Sequence, residues 1–189
     1  VQRLRPPQWR QMPPARVYGD LYMFDPIAAR LAAFASARLI AEELRNAGIT
    51  VNCTPVLDVP EAGAHDIIGD RAFSFDPDIV SDLGRAVVEG TLAGGVLPVI
   101  KHVPGHGRAQ ADSHLALPEI HASPEELIAV DFRPFMALCH APLAMTAHVL
   151  LPAFDEERPA SVSPVIMGEV IRELIGLTGL VMSDDIGME

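Results

Sequence analysis

Cysteine is scarce in this chain: Cys53 and Cys139 are the two in 189 residues, and both lie in apolar segments without paired spacing. That usage excludes a disulfide framework and predicts two free, buried thiols in a reducing compartment. Basic residues are few as well, 14 against 25 acidic, for a formal net charge of -11. With no basic stripe or arginine-rich arm, a phosphate backbone would be repelled, so nucleic acid is excluded as a partner. No run reaches the roughly 18 apolar residues of a membrane-spanning helix, and the opening VQRLRPPQWR has no apolar signal-peptide core. The chain therefore reads as soluble, cytoplasmic and without a membrane partner.

Apolar residues, by contrast, are plentiful. A 49% hydrophobic content over this length suits one well-packed domain, residues 1–189, and no low-complexity linker divides it. Both ends read as cut, since VQRL begins abruptly and SDDIGME follows directly on an apolar strand. Helix punctuation recurs with regularity. Asp25 and Pro26 open a helix over about 26–47 that Gly48 closes, and Asp76 and Pro77 open a second that Gly94 closes. Ser123 and Glu126 have capping-box spacing, and Ser163 with Pro164 repeats the opening. Pro134 should kink or split the third helix, because it removes a backbone donor. The proline-rich stretch RPPQWRQMPPARVYGD reads as an ordered loop or extended entry segment.

Short apolar runs lie between the helices: ITVNCTPVLDV, VLPVIKHV, APLAMTAHVL and GLVMSDD. They read as strands buried on both faces, and their alternation with helices predicts an α/β fold with a parallel sheet. Each run stays apolar until its carboxyl end, where it delivers Asp58, then Lys101 and His102, then His148, then Asp184. Parallel α/β folds build their sites at that edge, and several strands contributing together favour a closed (β/α)8 TIM barrel, of which four units would be the central part.

The stretch 101–118, KHVPGHGRAQADSHLALP, concentrates three histidines around glycines and prolines. His102, His106, Asp112 and His114 are metal-ligand types, but HVPGHG cannot form the helix interior in which a His-x3-His pair would share a face, so no metal is expected. A second reading is a loop of structural histidines. It sits poorly with Lys101 and His102, since charge at a barrel mouth costs desolvation energy unless a ligand or partner answers it. The third is acid/base chemistry. In an extended loop Asp112 and His114 point the same way, so the carboxylate can orient one imidazole nitrogen and aim the other at a substrate, with Asp184 as the available carboxylate nucleophile.

KHVPGHGRAQADSHLALP together with VMSDDIGME closely resembles the bacterial β-N-acetylhexosaminidases of glycoside hydrolase family 3, cytoplasmic enzymes of peptidoglycan recycling. VQRL, PVLDV, GDRAF and MTAHV follow in the family's order. The resemblance implies a (β/α)8 barrel and a retaining exo-β-N-acetylglucosaminidase that needs no cofactor. Its substrates would be N-acetylglucosaminyl-anhydro-muropeptides. It implies that Asp184 is the nucleophile, His114 the acid/base, Asp112 the partner of that histidine and Asp185 a neighbour only. It further implies that Arg3, Arg71, Lys101 and His102 bind the sugar.

Several features depart from the family. Val103 stands where the family has phenylalanine, and SDDIGM replaces SDDLSM. A family strand ending in a sugar-binding aspartate is expected before VQR, and further barrel units after the end. Histidine as acid/base avoids setting a second carboxylate against Asp184 and does not repel anions, so a β-N-acetylglucosaminide phosphorylase is the alternative activity. A catalytically silent sugar-binding domain could keep Lys101, His102 and Arg71 while dispensing with Asp184 and His114.

Overall fold

A computed structural model of the chain describes residues 4–61, 68–109 and 117–187. Where an extended entry segment is predicted, the chain instead forms helix α1 (Ala15–Tyr22). The prolines all precede it, and Pro14 caps it with an extended backbone. Tyr18, Leu21 and Tyr22 then lie against the core at helical spacing, with the Tyr18 hydroxyl 2.7 Å from Ser36 Oγ and that of Tyr22 2.8 Å from Asp82 Oδ2. Proline density hid a helix that begins only where the prolines stop.

Helix α2 (Pro26–Asn46) opens as its sequence predicts: Asp25 Oδ1 accepts the N–H groups of Ile27 and Ala28, each at 3.0 Å. Its buried stripe is Ala29, Ala33, Ala37 and Ala41. Helix α3 (Pro77–Ala93), capped by Asp76, answers with glycine: a Cβ on Gly90 would lie 2.3 Å from the Phe34 carbonyl oxygen, and one on Gly94 2.4 Å from Ala41 Cβ. The two helices therefore meet almost backbone to backbone. The left-handed turn after α3 falls on Gly95 (φ 82°) and not on Gly94.

The Ser123–Glu126 capping box is present in both directions, at 3.2 and 2.8 Å. Its helix is split near Pro134, as predicted: α4 (Pro124–Glu126) runs into a π-turn (Leu127–Asp131), and α5 (Arg133–Ala137) starts afresh. Ser163 Oγ accepts the N–H of Ile166 at 3.1 Å, but the coil that follows, Ile166–Leu174, is a π-helix and buries Ile166, Val170 and Ile171.

Strands β1 (Val51–Asn52), β2 (Leu97–Val103), β3 (Leu143–Thr146) and β4 (Leu180–Ser183) form, among the described residues, one sheet in the order β1-β2-β3-β4. All three pairings are parallel, with helical segments between consecutive strands. Only β2 approaches the double burial predicted for every strand; Val51 is 39% and Leu180 60% exposed, because β1 and β4 each have one strand neighbour. Cys53 follows β1 and is exposed, which corrects the expectation of two buried thiols; Cys139 is half-buried, and both are free. Beyond β1 pairing resumes around Lys101, whose N–H donates to the Pro55 carbonyl (3.1 Å) and whose carbonyl accepts from Leu57 N–H (2.6 Å). Parallel direction thus brings Asp58, Lys101, His102, His148 and Asp184 to one edge of the sheet. Among the described residues no helix is long and apolar enough to cross a membrane.

Candidate active site

Asp58 is fully buried and makes three hydrogen bonds at that edge. Its Oδ2 lies 2.6 Å from His102 Nδ1, and its Oδ1 accepts the backbone N–H of His102 at 3.3 Å and of His106 at 2.8 Å. Burial by itself would push this carboxyl up. The neighbouring His102 ring, with the His106 N–H, outweighs it and holds Asp58 below the ordinary range. A register shift in β2 places His102 for this contact: Lys101 pairs with Met145 and Val103 with Thr146, leaving His102 as the surplus residue of a bulge. Bulges re-aim a side chain next to a site in this way.

On its other side, His102 Nε2 faces Asp184 Oδ2 at 3.8 Å. Asp184 stands just past β4 with its side chain 26% exposed, and its Oδ1 accepts the Asp185 N–H at 2.8 Å. Asp185 turns its own carboxylate to the N–H of Gly187 at 2.9 Å, which leaves Asp184 as the carboxylate facing His102. Arg71 ends a 3₁₀ turn (Gly69–Arg71), with Nε donating to the Ile68 carbonyl at 3.3 Å. His106 is buried edge-on to His102, ring centroids 6.0 Å apart, and neither of its ring nitrogens has a hydrogen-bond partner among the described residues. Burial pushes its pKa down, against the pull of the Asp58 carboxylate and assisted by His102 and Arg71.

Arg108 anchors the next stretch of chain. Its Nε donates to Asp131 Oδ2 at 2.7 Å and its Nη1 to Glu61 Oε1 at 2.8 Å. Asp131 is buried on the π-turn, and burial raises its carboxyl to about 6 against the pull of Arg108. Asp58 and Asp131 carry no assigned role in the sequence reading. The signal for both was a lone carboxylate inside an apolar run, LDV and VDF.

Of the predicted site residues, Arg71, Lys101, His102 and Asp184 are described, and His102 and Asp184 are brought face to face. Arg3, Asp112 and His114 lie outside the described residues. Among the described residues no group of three histidine, cysteine, aspartate or glutamate side chains is arranged to hold a metal ion.

The family model of the glycosyl hydrolase family 3 N-terminal domain matches residues 3–189. The chain belongs to that family. It is 37% identical over 191 aligned residues to the β-hexosaminidase of Bordetella avium (strain 197N), covering 100% of this chain and 54% of that protein. The β-hexosaminidase of Thiobacillus denitrificans is 38% identical, with 100% and 52% covered. The family 3 chain thus spans about half the length of the curated relatives it matches. Among solved structures, that of NagZ from Neisseria gonorrhoeae in complex with N-trifluoroacetyl-D-glucosamine superposes with a TM-score of 0.93 at 37% identity, covering 100% of this chain and 56% of that one. A family 3 β-N-acetylglucosaminidase from Paenibacillus sp. str. FPU-7 gives 0.81 at 34% identity, with 84% and 31% covered.

Within this family 3 chain the site joins a partly open carboxylate to a ring whose far nitrogen is locked by a buried acid. Such an arrangement can present one oxygen to an electrophilic carbon while the imidazole edge binds a neighbouring hydroxyl.

Proposed function

We propose that this chain forms the central part, residues 1–189, of a (β/α)8 barrel belonging to a retaining exo-β-N-acetylglucosaminidase. Asp184 carries the proposal: a carboxylate at the carboxyl end of a parallel strand, partly open to solvent and faced by His102 Nε2 at 3.8 Å. The sequential parallel order of the four strands supports the barrel, since among the described residues β1 and β4 each have one strand neighbour and further strands could pair on their outer edges.

In the proposed reaction Asp184 attacks the anomeric carbon of a terminal N-acetylglucosamine, while His114, oriented by Asp112, protonates the departing glycosidic oxygen. The C–O bond to the leaving group breaks as the bond to Asp184 forms. His114, now neutral, takes a proton from water, which displaces Asp184 from the sugar. Lys101, His102, Arg71 and Arg3 hold the sugar's hydroxyl and acetamido groups. No cofactor takes part. The bound N-acetylglucosamine analogue of the NagZ neighbour supports this sugar class. The substrates are peptidoglycan-derived N-acetylglucosaminyl-anhydro-muropeptides, met in the cytoplasm.

Release of 4-nitrophenol from its N-acetyl-β-glucosaminide by the full-length protein tests the reading, with Asp184→Ala and His114→Ala alongside and with a chelator arm. Chelator-insensitive hydrolysis that falls by several orders of magnitude in Asp184→Ala is expected. Wild-type inactivity would leave a sugar-binding domain as the better description, whereas an Asp184→Ala variant as active as wild type would remove Asp184 as the nucleophile. Adding inorganic phosphate separates the remaining alternative, because a phosphorylase would yield the sugar 1-phosphate.

A further inference from the structure

His148, just beyond β3, is held at both ring nitrogens: Nδ1 lies 2.7 Å from Ser161 Oγ and Nε2 3.2 Å from the backbone carbonyl oxygen of Asp185. A carbonyl oxygen only accepts, so Nε2 carries the proton in this contact, and in the neutral ring Nδ1 accepts from the Ser161 hydroxyl. Ser161 is itself firmly placed. The N–H of Ala160 donates to the Val149 carbonyl at 2.8 Å, and Ser163 Oγ donates to Asp155 Oδ2 at 2.6 Å. Beyond Ser183 the ladder of β4 with β3 ends. The contact from His148 ties the segment that follows Asp184 to another part of the fold; the hydrogen bonds of Asp185 N–H to Asp184 and of Gly187 N–H to Asp185 stay within it.

We propose that His148 is a positioning residue for Asp184: it clamps the carbonyl of the next residue, Asp185, and Ser161 fixes the ring tautomer that makes the clamp a donor. The inference rests on the reading of Asp184 as nucleophile. Asp185 is then gripped at both backbone groups, its N–H by the Asp184 carboxylate and its C=O by His148, so the nucleophile's backbone and one of its oxygens are set together. The other oxygen, Oδ2, is left toward His102. Misplacing a reacting group by about 1 Å costs on the order of 100-fold in rate, which is the scale on which such a clamp acts.

The test uses full-length protein carrying His148→Ala, His148→Gln or Ser161→Ala, with kcat and KM measured separately and Asp184→Ala as reference. The glutamine side-chain amide can donate where Nε2 does. We expect His148→Ala to lower kcat by about 10–100-fold with KM within about threefold of wild type, His148→Gln to recover most of the loss, and Ser161→Ala to show a smaller kcat loss. Wild-type kcat in His148→Ala beside an inactive Asp184→Ala would overturn the clamp while leaving the nucleophile in place. An effect confined to KM, or a glutamine variant no better than alanine, would overturn it too. Should His148→Ala fail to fold, the Ser161→Ala and His148→Gln arms decide in the same way. An active Asp184→Ala would instead remove the reading on which the inference rests.

Discussion

The Asp58 carboxylate, closed to solvent, lies 2.6 Å from Nδ1 of His102, while Nε2 of the same ring looks across 3.8 Å to Asp184. One imidazole therefore spans a buried acid and a partly open one, and the burial of the first sets the orientation presented to the second.

Truncating Asp58 should be expensive. Asp58→Ala strands the His102 ring nitrogen and two backbone N–H groups in a closed site, and breaking a buried pair of this kind costs about 3–5 kcal/mol. Asp58→Asn retains an acceptor for the two N–H groups and should lose less. Urea denaturation of the two variants beside wild type reads the difference, and equal losses would contradict the hydrogen-bond account.

The two buried carboxylates oppose one another in pH dependence. Asp58 is held below the ordinary range, so its contribution is present above the unfolded-state pKa and is lost as pH falls through the folded value. Asp131 is raised from 3.8 to about 6, so in that window the folded protein binds the extra proton and stability falls as pH rises. Melting temperature measured from about pH 4 to about pH 6.5 should show this decline in wild type and a flatter profile in Asp131→Asn. A profile unchanged by the substitution would contradict it.

Gly107 and Gly168 predict opposite outcomes for the same change. A Cβ on Gly107 would stand 1.9 Å from the Val59 carbonyl oxygen, so Gly107→Ala must displace the strand of chain leading to Arg108. Gly168, in the π-helix, has nothing within 4 Å of such an atom, and Gly168→Ala should be neutral or stabilising by up to about 1 kcal/mol. Thermal melts of the pair check both signs.

A 5-fluoro N-acetylglucosaminyl fluoride should trap the glycosyl-enzyme of a retaining reaction. Fragmentation of the labelled peptide is expected to place the sugar on Asp184, with no label in Asp184→Ala. A label on Asp185 would reassign the nucleophile within the same SDD triplet.

Local signals were readable in the sequence because they act over three or four residues. The Asp25, Asp76 and Ser123 caps all form, and the helix breaks near Pro134. The polar residues at the strand ends likewise gather at one edge of the sheet. What the sequence hid depends on distance or on unusual coil geometry. Asp58 and His102 are 44 residues apart, and their pairing needs the β2 bulge, which no composition signal announces. The π-helix at Ile166–Leu174 uses a five-residue spacing that reads as an imperfect α pattern. His148 looked like another strand-end histidine until its ring was seen bonded to Ser161 and to the backbone after Asp184.

Where the alanine row of α2 meets Gly90 and Gly94, no layer of side chains lies between the two segments that could yield by changing rotamer. Their separation behaves as a hard stop: a bulkier residue in either row must be absorbed by moving a whole helix. Since α3 leads through Gly94 and Gly95 into β2, that displacement would be delivered to the strand that ends in Lys101 and His102. A substitution far from Asp184, on the outer layer of the fold, would thus act as a mechanical adjustment of the sheet edge that carries Lys101 and His102, felt first as altered alignment and only later as unfolding.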